Sequence, residues 1–177
     1  VGWHGAGVYV LPTRCITPPA VDAAAPGADA EAEGGEQGRA PRRFVFQSEA
    51  GMDNTFHVRG ELADWQQHVA APAAGNSRLV FAVSAALAGP LLHLAKLESG
   101  GFHFRGASSQ GKTTALRVAA SVFGRPSFMQ RWRTTDNALE AIAVQHCDAL
   151  LILDELAQVE GKVAGECAYM LANEQSK

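Results

Sequence analysis

Gly106-Ala107-Ser108-Ser109-Gln110-Gly111-Lys112-Thr113 fits the pattern G-x-x-x-x-G-K-[ST] at every defined position. The glycines let a backbone curl until successive N–H groups point at one anion. A helix beginning directly after the loop adds its own unpaired N–H groups and the positive end of its dipole. In such a loop the Lys112 ammonium reaches the β- and γ-phosphates of a nucleotide, and the Thr113 hydroxyl is a hard oxygen ligand for Mg²⁺. Gly106, Ala107, Ser108, Ser109, Gln110, Gly111, Lys112, Thr113 and Thr114 are therefore the predicted nucleotide-binding set, with ATP and Mg²⁺ as the cofactors.

A second chemical feature lies downstream. Ala149-Leu150-Leu151-Ile152-Leu153 is an unbroken apolar run that ends in Asp154-Glu155. A strand apolar on both faces suits the centre of a parallel sheet covered by helices, and ligands in such sheets collect at the strands' C-terminal ends. Asp154 is placed to assist the Mg²⁺ that Thr113 binds, as in a Walker B element. Glu155 is placed to act as the base that orients or deprotonates the attacking water, so Glu155 and Lys112 are the predicted catalytic pair.

These residues need scaffolding, and the sequence offers it. Phe102-His103-Phe104-Arg105 alternates as a short strand entering the glycine loop. Thr114 to Phe123 follows as a helix with Ala115, Leu116, Val118, Ala119 and Val122 on one face and Gly124 as its stop. Ser127 to Arg133 reads as an outer strand, and Thr134 or Thr135 as the cap of a helix from Asp136 to about His146. Arg131-Trp132-Arg133 has the mixture of charge and aromatic surface that stacks on single-stranded nucleic acid; solvated arginines on an edge strand are the plainer reading.

Before the loop the pattern is less regular. Leu62, Trp65 and Val69 fall on one helical face, in a segment closed by Pro72 and Gly75. Asn76 or Ser77 then caps a helix reaching about Glu98. Its core, Leu79 to Leu97, approaches the length of a membrane span. Gly89-Pro90, His93, Lys96 and the abundance of alanine argue instead for a helix, or a bent pair, packed against an α/β core, with no membrane partner. Further upstream, Val8 to Leu11 is a strand closed by Pro12, Arg43 to Gln47 alternates, and Thr55 to Arg59 alternates weakly. Between them the stretch from Thr17 to Arg42 is mostly Ala, Gly, Pro and Glu, too poor in apolar surface to offset its ordering entropy. The expected division is thus a β-rich portion over 1–60 with a disordered acidic insertion at about 17–42, a helical segment over 61–98, and a nucleotide-binding core over 99–177.

Composition narrows the classes. The chain has 177 residues, 47% of them hydrophobic, so it is neither wholly disordered nor fibrous. Its net charge is −3, but Val21 to Ala40 carries five carboxylates against Arg39, a net of −4 that leaves the rest at +1. No global field advertises nucleic acid. Three cysteines at wide spacing, with no CxxC, fit a reducing, cytoplasmic compartment. The six histidines have no metal-ligand spacing. The start without Met or leader, and a last helix still in progress, read as a fragment of a longer chain.

With these residues in view, the sequence resembles domain-of-unknown-function family 927, P-loop proteins of bacteria and their phages and plasmids. The resemblance rests on Asn76-Ser77-Arg78-Leu79, Gly89-Pro90-Leu91-Leu92, Gly101 to Gly124, Arg131 to Thr135, Leu139-Glu140, Leu151 to Glu155 and Tyr169 to Asn173. It covers roughly Phe56 to the end, with the opening GWHG and YVLP also similar. After Leu171-Ala172-Asn173 the family continues with two glycines and a lysine, where this chain has Glu174-Gln175-Ser176-Lys177. Members occur beside primase or helicase modules, which implies coupling to single-stranded DNA or RNA. The expected fold is therefore an α/β P-loop NTPase of the RecA/AAA-like, additional-strand catalytic-glutamate type: a parallel sheet with helices on both faces, preceded by a small β-rich portion. The expected function is Mg²⁺-dependent ATP hydrolysis in a nucleic-acid motor. A homo-oligomeric ring would supply the arginine finger that this stretch lacks. A nucleotide-dependent switch or scaffold without motor activity is the alternative.

Overall fold

A computed structural model of the chain describes residues 1–4, 7–17, 54–132 and 136–172. The predicted strand at 43–47, the acidic stretch over 18–42, Arg133, the cap at Thr134 or Thr135, and the tail 174–177 lie outside these residues. The described architecture is mixed α/β. Strands β1 (Gly2–His4), β2 (Val8–Val10) and β3 (Cys15–Ile16) form an antiparallel sheet in that order. Strands β4 (Gln130–Arg131) and β5 (Leu153–Asp154) form a parallel pair. The helices are α1 (Leu62–Trp65), α2 (Ala71–Ala73), α3 (Ser77–Ala95), α4 (Lys112–Ala120), α5 (Asp136–Gln145) and α6 (Gly161–Ala172).

Helix α3 starts where its sequence allows. Asn76 is extended, and its Oδ1 accepts the Leu79 N–H at 3.3 Å, satisfying one donor of the first turn. The helix runs unbroken through Gly89-Pro90 rather than as a bent pair, although Pro90 deprives the Ala86 carbonyl of its helical donor. It ends where Lys96 turns left-handed at φ 54° and the Leu97 N–H returns to the Leu92 carbonyl at 3.0 Å. By length and composition α3 is apolar enough to cross a membrane. One part of it, Ala82 and Ala86, is buried, while Val80, Leu87, Leu91 and Leu94 are exposed.

Ala82 and Ala86 join Ala115, Ala119 and Ala120 of α4, together with Phe56, Phe128 and Ile152, in one buried cluster. Phe128, with 0% exposure, sits edge-on to Phe56 at 5.2 Å and stacked on Phe123 at 5.4 Å. Phe56 thus belongs to the same core as the residues beyond Gly60, so the division expected near Gly60 runs through shared packing.

Three expectations need correction. Phe102–Arg105 is not a strand: it has no ladder partner among the described residues, and Phe102 and Phe104 are edge-on to Phe81 of α3 at 4.8 and 6.1 Å instead. Thr55–Arg59 contributes only a single bridge, Phe56 to Gly124. The face of Leu62 and Trp65 is not buried as a stripe, since Leu62 is 69% exposed. Trp65 anchors that segment by donating its indole N–H to Ser121 Oγ at 2.9 Å, and Ala73 is buried near its end. Between α1 and α2 the chain widens into a π-turn over Gln66–Ala70, with Pro72, which lacks an N–H, just beyond it.

The antiparallel sheet is fastened to the loop at Asp148 and to helix α3. The Trp3 N–H donates to Asp148 Oδ2 at 2.9 Å, the Tyr9 hydroxyl donates to the Asp148 carbonyl at 2.7 Å, and the Trp3 indole N–H donates to the Pro90 carbonyl at 2.7 Å. Burial, with the Asp148 charge beside it, holds the Tyr9 phenol protonated far above its ordinary range. Gly89 lies against the same loop, where an added Cβ would stand 2.6 Å from the Ala149 carbonyl oxygen. A backbone atom cannot yield as a side chain does. Gly89→Ala is therefore expected to cost about 2 kcal/mol, read as a fall of about 5 °C in Tm; an unchanged Tm would contradict this packing.

His146 is buried between Phe56 and Phe128, with Nδ1 2.7 Å from the Ile142 carbonyl. Burial disfavours the imidazolium and lowers its pKa below the ordinary 6.5. The unfolded chain therefore binds this proton more readily than the folded one. Stability from this group is full above pH 6.5 and declines as pH falls through 6.5 toward the folded value. Urea unfolding between pH 7.5 and 5.5 is expected to show this loss, and His146→Phe to flatten it.

Candidate nucleotide-binding site

The glycine loop meets α4 at a left-handed residue. Gly111, at φ 79°, forms the N-cap, and its carbonyl accepts the Ala115 N–H at 2.9 Å as the first helical bond. The N–H groups of Lys112, Thr113 and Thr114 therefore precede any intrahelical partner and face out of the helix end. The helix starts two residues earlier than its apolar periodicity suggests and stops at Ala120, before Phe123. Ser108 and Ser109 form the turn of the loop, with Ser109 also left-handed at φ 60°.

Lys112 folds back over this loop. Its Nζ donates to the carbonyls of Gly106 at 2.8 Å and Ala107 at 2.6 Å, so the loop is closed by its own lysine. Gln110 reaches across the same ring: a Cβ on Gly106 would stand 2.5 Å from Gln110 Oε1. Thr114 is exposed on the first turn of α4.

The acidic pair comes to this loop through β5. Gln130 pairs with Leu153 and Arg131 with Asp154, while the Trp132 N–H donates to the Asp154 carbonyl at 3.1 Å. The ordered strand is only Leu153–Asp154, with β4 as its one ladder partner among the described residues. Residues 149–151 stay partly exposed, so the run is less enclosed than a central strand would be. Asp154 Oδ2 lies 3.5 Å from Thr113 Oγ1, and Asp154 Oδ1 accepts the Glu155 N–H at 2.8 Å. The 3.5 Å separation is long for a hydroxyl–carboxylate bond. Adjacent corners of an octahedron with Mg–O bonds of about 2.1 Å stand about 3 Å apart, so the two oxygens need close by only about half an ångström to share one ion.

This donor set suits Mg²⁺. Among the described residues no group of three or more His, Cys, Asp or Glu could hold a metal unaided. Mg²⁺ is normally held by one or two protein oxygens, with substrate phosphates and water completing the octahedron. A family model described as "Domain of unknown function (DUF927)" matches residues 1–177. The chain belongs to the DUF927 family. No curated protein and no solved structure gives a significant match.

In this DUF927 chain Glu155 has surroundings that sequence reasoning missed. It is left-handed at φ 65°, and Gln158, one short 3₁₀ turn later, donates its side-chain N–H to Glu155 Oε2 at 2.8 Å. Arg131 Nε lies 3.9 Å from the same oxygen. The signal available was the three-residue spacing from Glu155 to Gln158, which one turn closes; the left-handed Glu155 had no signature in composition.

The two loop glycines differ in what they demand. Nothing lies within 4 Å of a Cβ on Gly111, so Gly111→Ala meets only the backbone cost of a positive φ, about 1–2 kcal/mol. Gly106 has an ordinary φ and meets only the flexible end of Gln110. Gly111→Ala is expected to lower the urea midpoint measurably and Gly106→Ala to leave it nearly unchanged; the reverse order would refute this reading of the loop.

Proposed function

We propose that this domain binds ATP with Mg²⁺ in the loop 106–114 and hydrolyses it, as an α/β P-loop NTPase with Glu155 as base. The observation that carries this reading is the approach of Thr113 Oγ1 to Asp154 Oδ2 across 3.5 Å, from a helix N-terminus and a strand end far apart in sequence. Two hard oxygens converge beside a loop whose lysine and unpaired N–H groups favour an anion.

In this scheme Lys112 leaves the Gly106 and Ala107 carbonyls for the β- and γ-phosphate oxygens, exchanging two neutral acceptors for charged ones. Thr113 and Asp154 would hold Mg²⁺, which when bound would neutralise charge on the phosphates. Glu155 accepts a proton from water as the water oxygen bonds to the γ-phosphorus. The bond to the β–γ bridging oxygen breaks, leaving ADP and inorganic phosphate.

Coupling of this turnover to single-stranded DNA or RNA, in a cytoplasmic ring of like subunits, is the fuller form of the proposal. It is supported by the resemblance to primase- and helicase-associated proteins and by Arg131, which is exposed at the end of β4 beside the site.

The test is steady-state ATP hydrolysis and fluorescent-ATP binding, with and without Mg²⁺ and single-stranded DNA. Lys112→Ala is expected to lose binding. Glu155→Gln is expected to keep binding and lose turnover by about 10²-fold or more. Stimulation by DNA supports the motor; tight binding without turnover supports the switch; and absence of nucleotide binding overturns both.

A further inference from the structure

Glu155 presents its two carboxylate oxygens to different surroundings. Oε2 takes the Gln158 side-chain N–H at 2.8 Å and faces Arg131 Nε at 3.9 Å, whereas no described donor is assigned to Oε1. The two neighbours come from independent elements. Gln158 ends the 3₁₀ turn Leu156–Gln158, which is closed by its own backbone N–H donating to the Glu155 carbonyl at 3.0 Å. Arg131 ends β4, fixed in register opposite Asp154. The Glu155 backbone is pinned as well, through its N–H on Asp154 Oδ1 at 2.8 Å. A glutamate side chain has three rotatable bonds, and with 39% of its surface exposed Glu155 is only partly held by packing. The hydrogen bond and the cation restrict where its carboxylate points.

We infer that Gln158 is a positioning residue for Glu155: it ties down Oε2, with Arg131 as a weaker electrostatic aid, so that Oε1 is the oxygen that faces the attacking water. The inference rests on the reading of Glu155 as the hydrolytic base and adds how that base is aimed. An amide suits the task because it donates without carrying charge. It therefore does not compete with the metal or the lysine for the phosphates. A positional error at a base is costly, since displacement by about 1 Å can lower a rate by orders of magnitude.

The experiment is a double-mutant cycle on the purified protein. Gln158→Met keeps the length of the side chain and removes the donor; Gln158→Glu places an acceptor against Oε2. Each is made alone and with Glu155→Gln, and followed by single-turnover hydrolysis and fluorescent-ATP affinity; the Gln158 side-chain amide resonances are followed in the chains that keep Gln158. Gln158→Met is expected to lower the rate about tenfold at unchanged ATP affinity, and Gln158→Glu to lower it further. Neither should add a loss in the Glu155→Gln background, because the aimed group is already gone. The Gln158 amide resonances should shift when Glu155 is replaced by Ala. Equal losses in both backgrounds, or an unchanged rate in Gln158→Met, would overturn the positioning role and leave Glu155 as the base. An unchanged rate in Glu155→Gln alone would instead overturn the base assignment, and the inference with it.

Discussion

Ala82 and Ala86 of α3 share a buried cluster with Ala115, Ala119 and Ala120 of α4, and small side chains let these two helices approach closely. That approach sets the direction of α4, and so the place of Gly111 and Lys112 at its start. Ile152, in the same cluster, is the residue just before β5. One core therefore holds both the helix that carries Thr113 and the strand that carries Asp154, and their 3.5 Å separation is a consequence of it. Larger residues at the alanine positions would push α4 outward and separate the two oxygens before altering either motif.

Much of this was legible in sequence where a local rule has a local cause. The Asn76 cap and the Gly-Lys-Thr junction of loop and helix follow from side-chain capping and from glycine's freedom at positive φ. Asp154 and Glu155 follow an apolar run that ends as a strand. The failures share a different cause. Phe102–Arg105 alternates like a strand, but alternation describes side chains, whereas a strand requires a backbone partner. Its phenylalanines found Phe81 instead. Leu62 has the right helical spacing, yet it is exposed, and the segment is held partly by the Trp65–Ser121 bond, which no periodicity encodes. The role of Asp148 was equally hidden, because its partners Trp3 and Tyr9 lie at the far end of the chain.

The exposed side of α3 shows the same limit of composition as evidence. Leu79 to Leu97 reads as nearly uniform apolar sequence, and only the structure separates the buried alanines from the exposed Val80, Leu87, Leu91 and Leu94. Burial here follows the helix face: Leu79, Ala82 and Ala86, at i, i+3 and i+7, lie on the side that packs on the core, whereas Ala95 is exposed like Leu91 and Leu94.

Strain is distributed around the acidic strand in a way that ties the fold to the site. Asp148 at φ 50° and Glu155 at φ 65° are both left-handed without being glycine, and they bracket residues 149–154. Each such residue costs on the order of 1–2 kcal/mol and persists only where its surroundings determine it. At Asp148 the surroundings are the Trp3 and Tyr9 donors of the antiparallel sheet; at Glu155 they are Asp154 Oδ1 and the turn through Gln158. The first set belongs to the fold and the second to the site. The strand between them is thus held at its entry by the N-terminal sheet and at its exit by residues next to the proposed chemistry. Its two ends reverse direction sharply enough to lay Asp154 against Thr113 in a strand of only two residues.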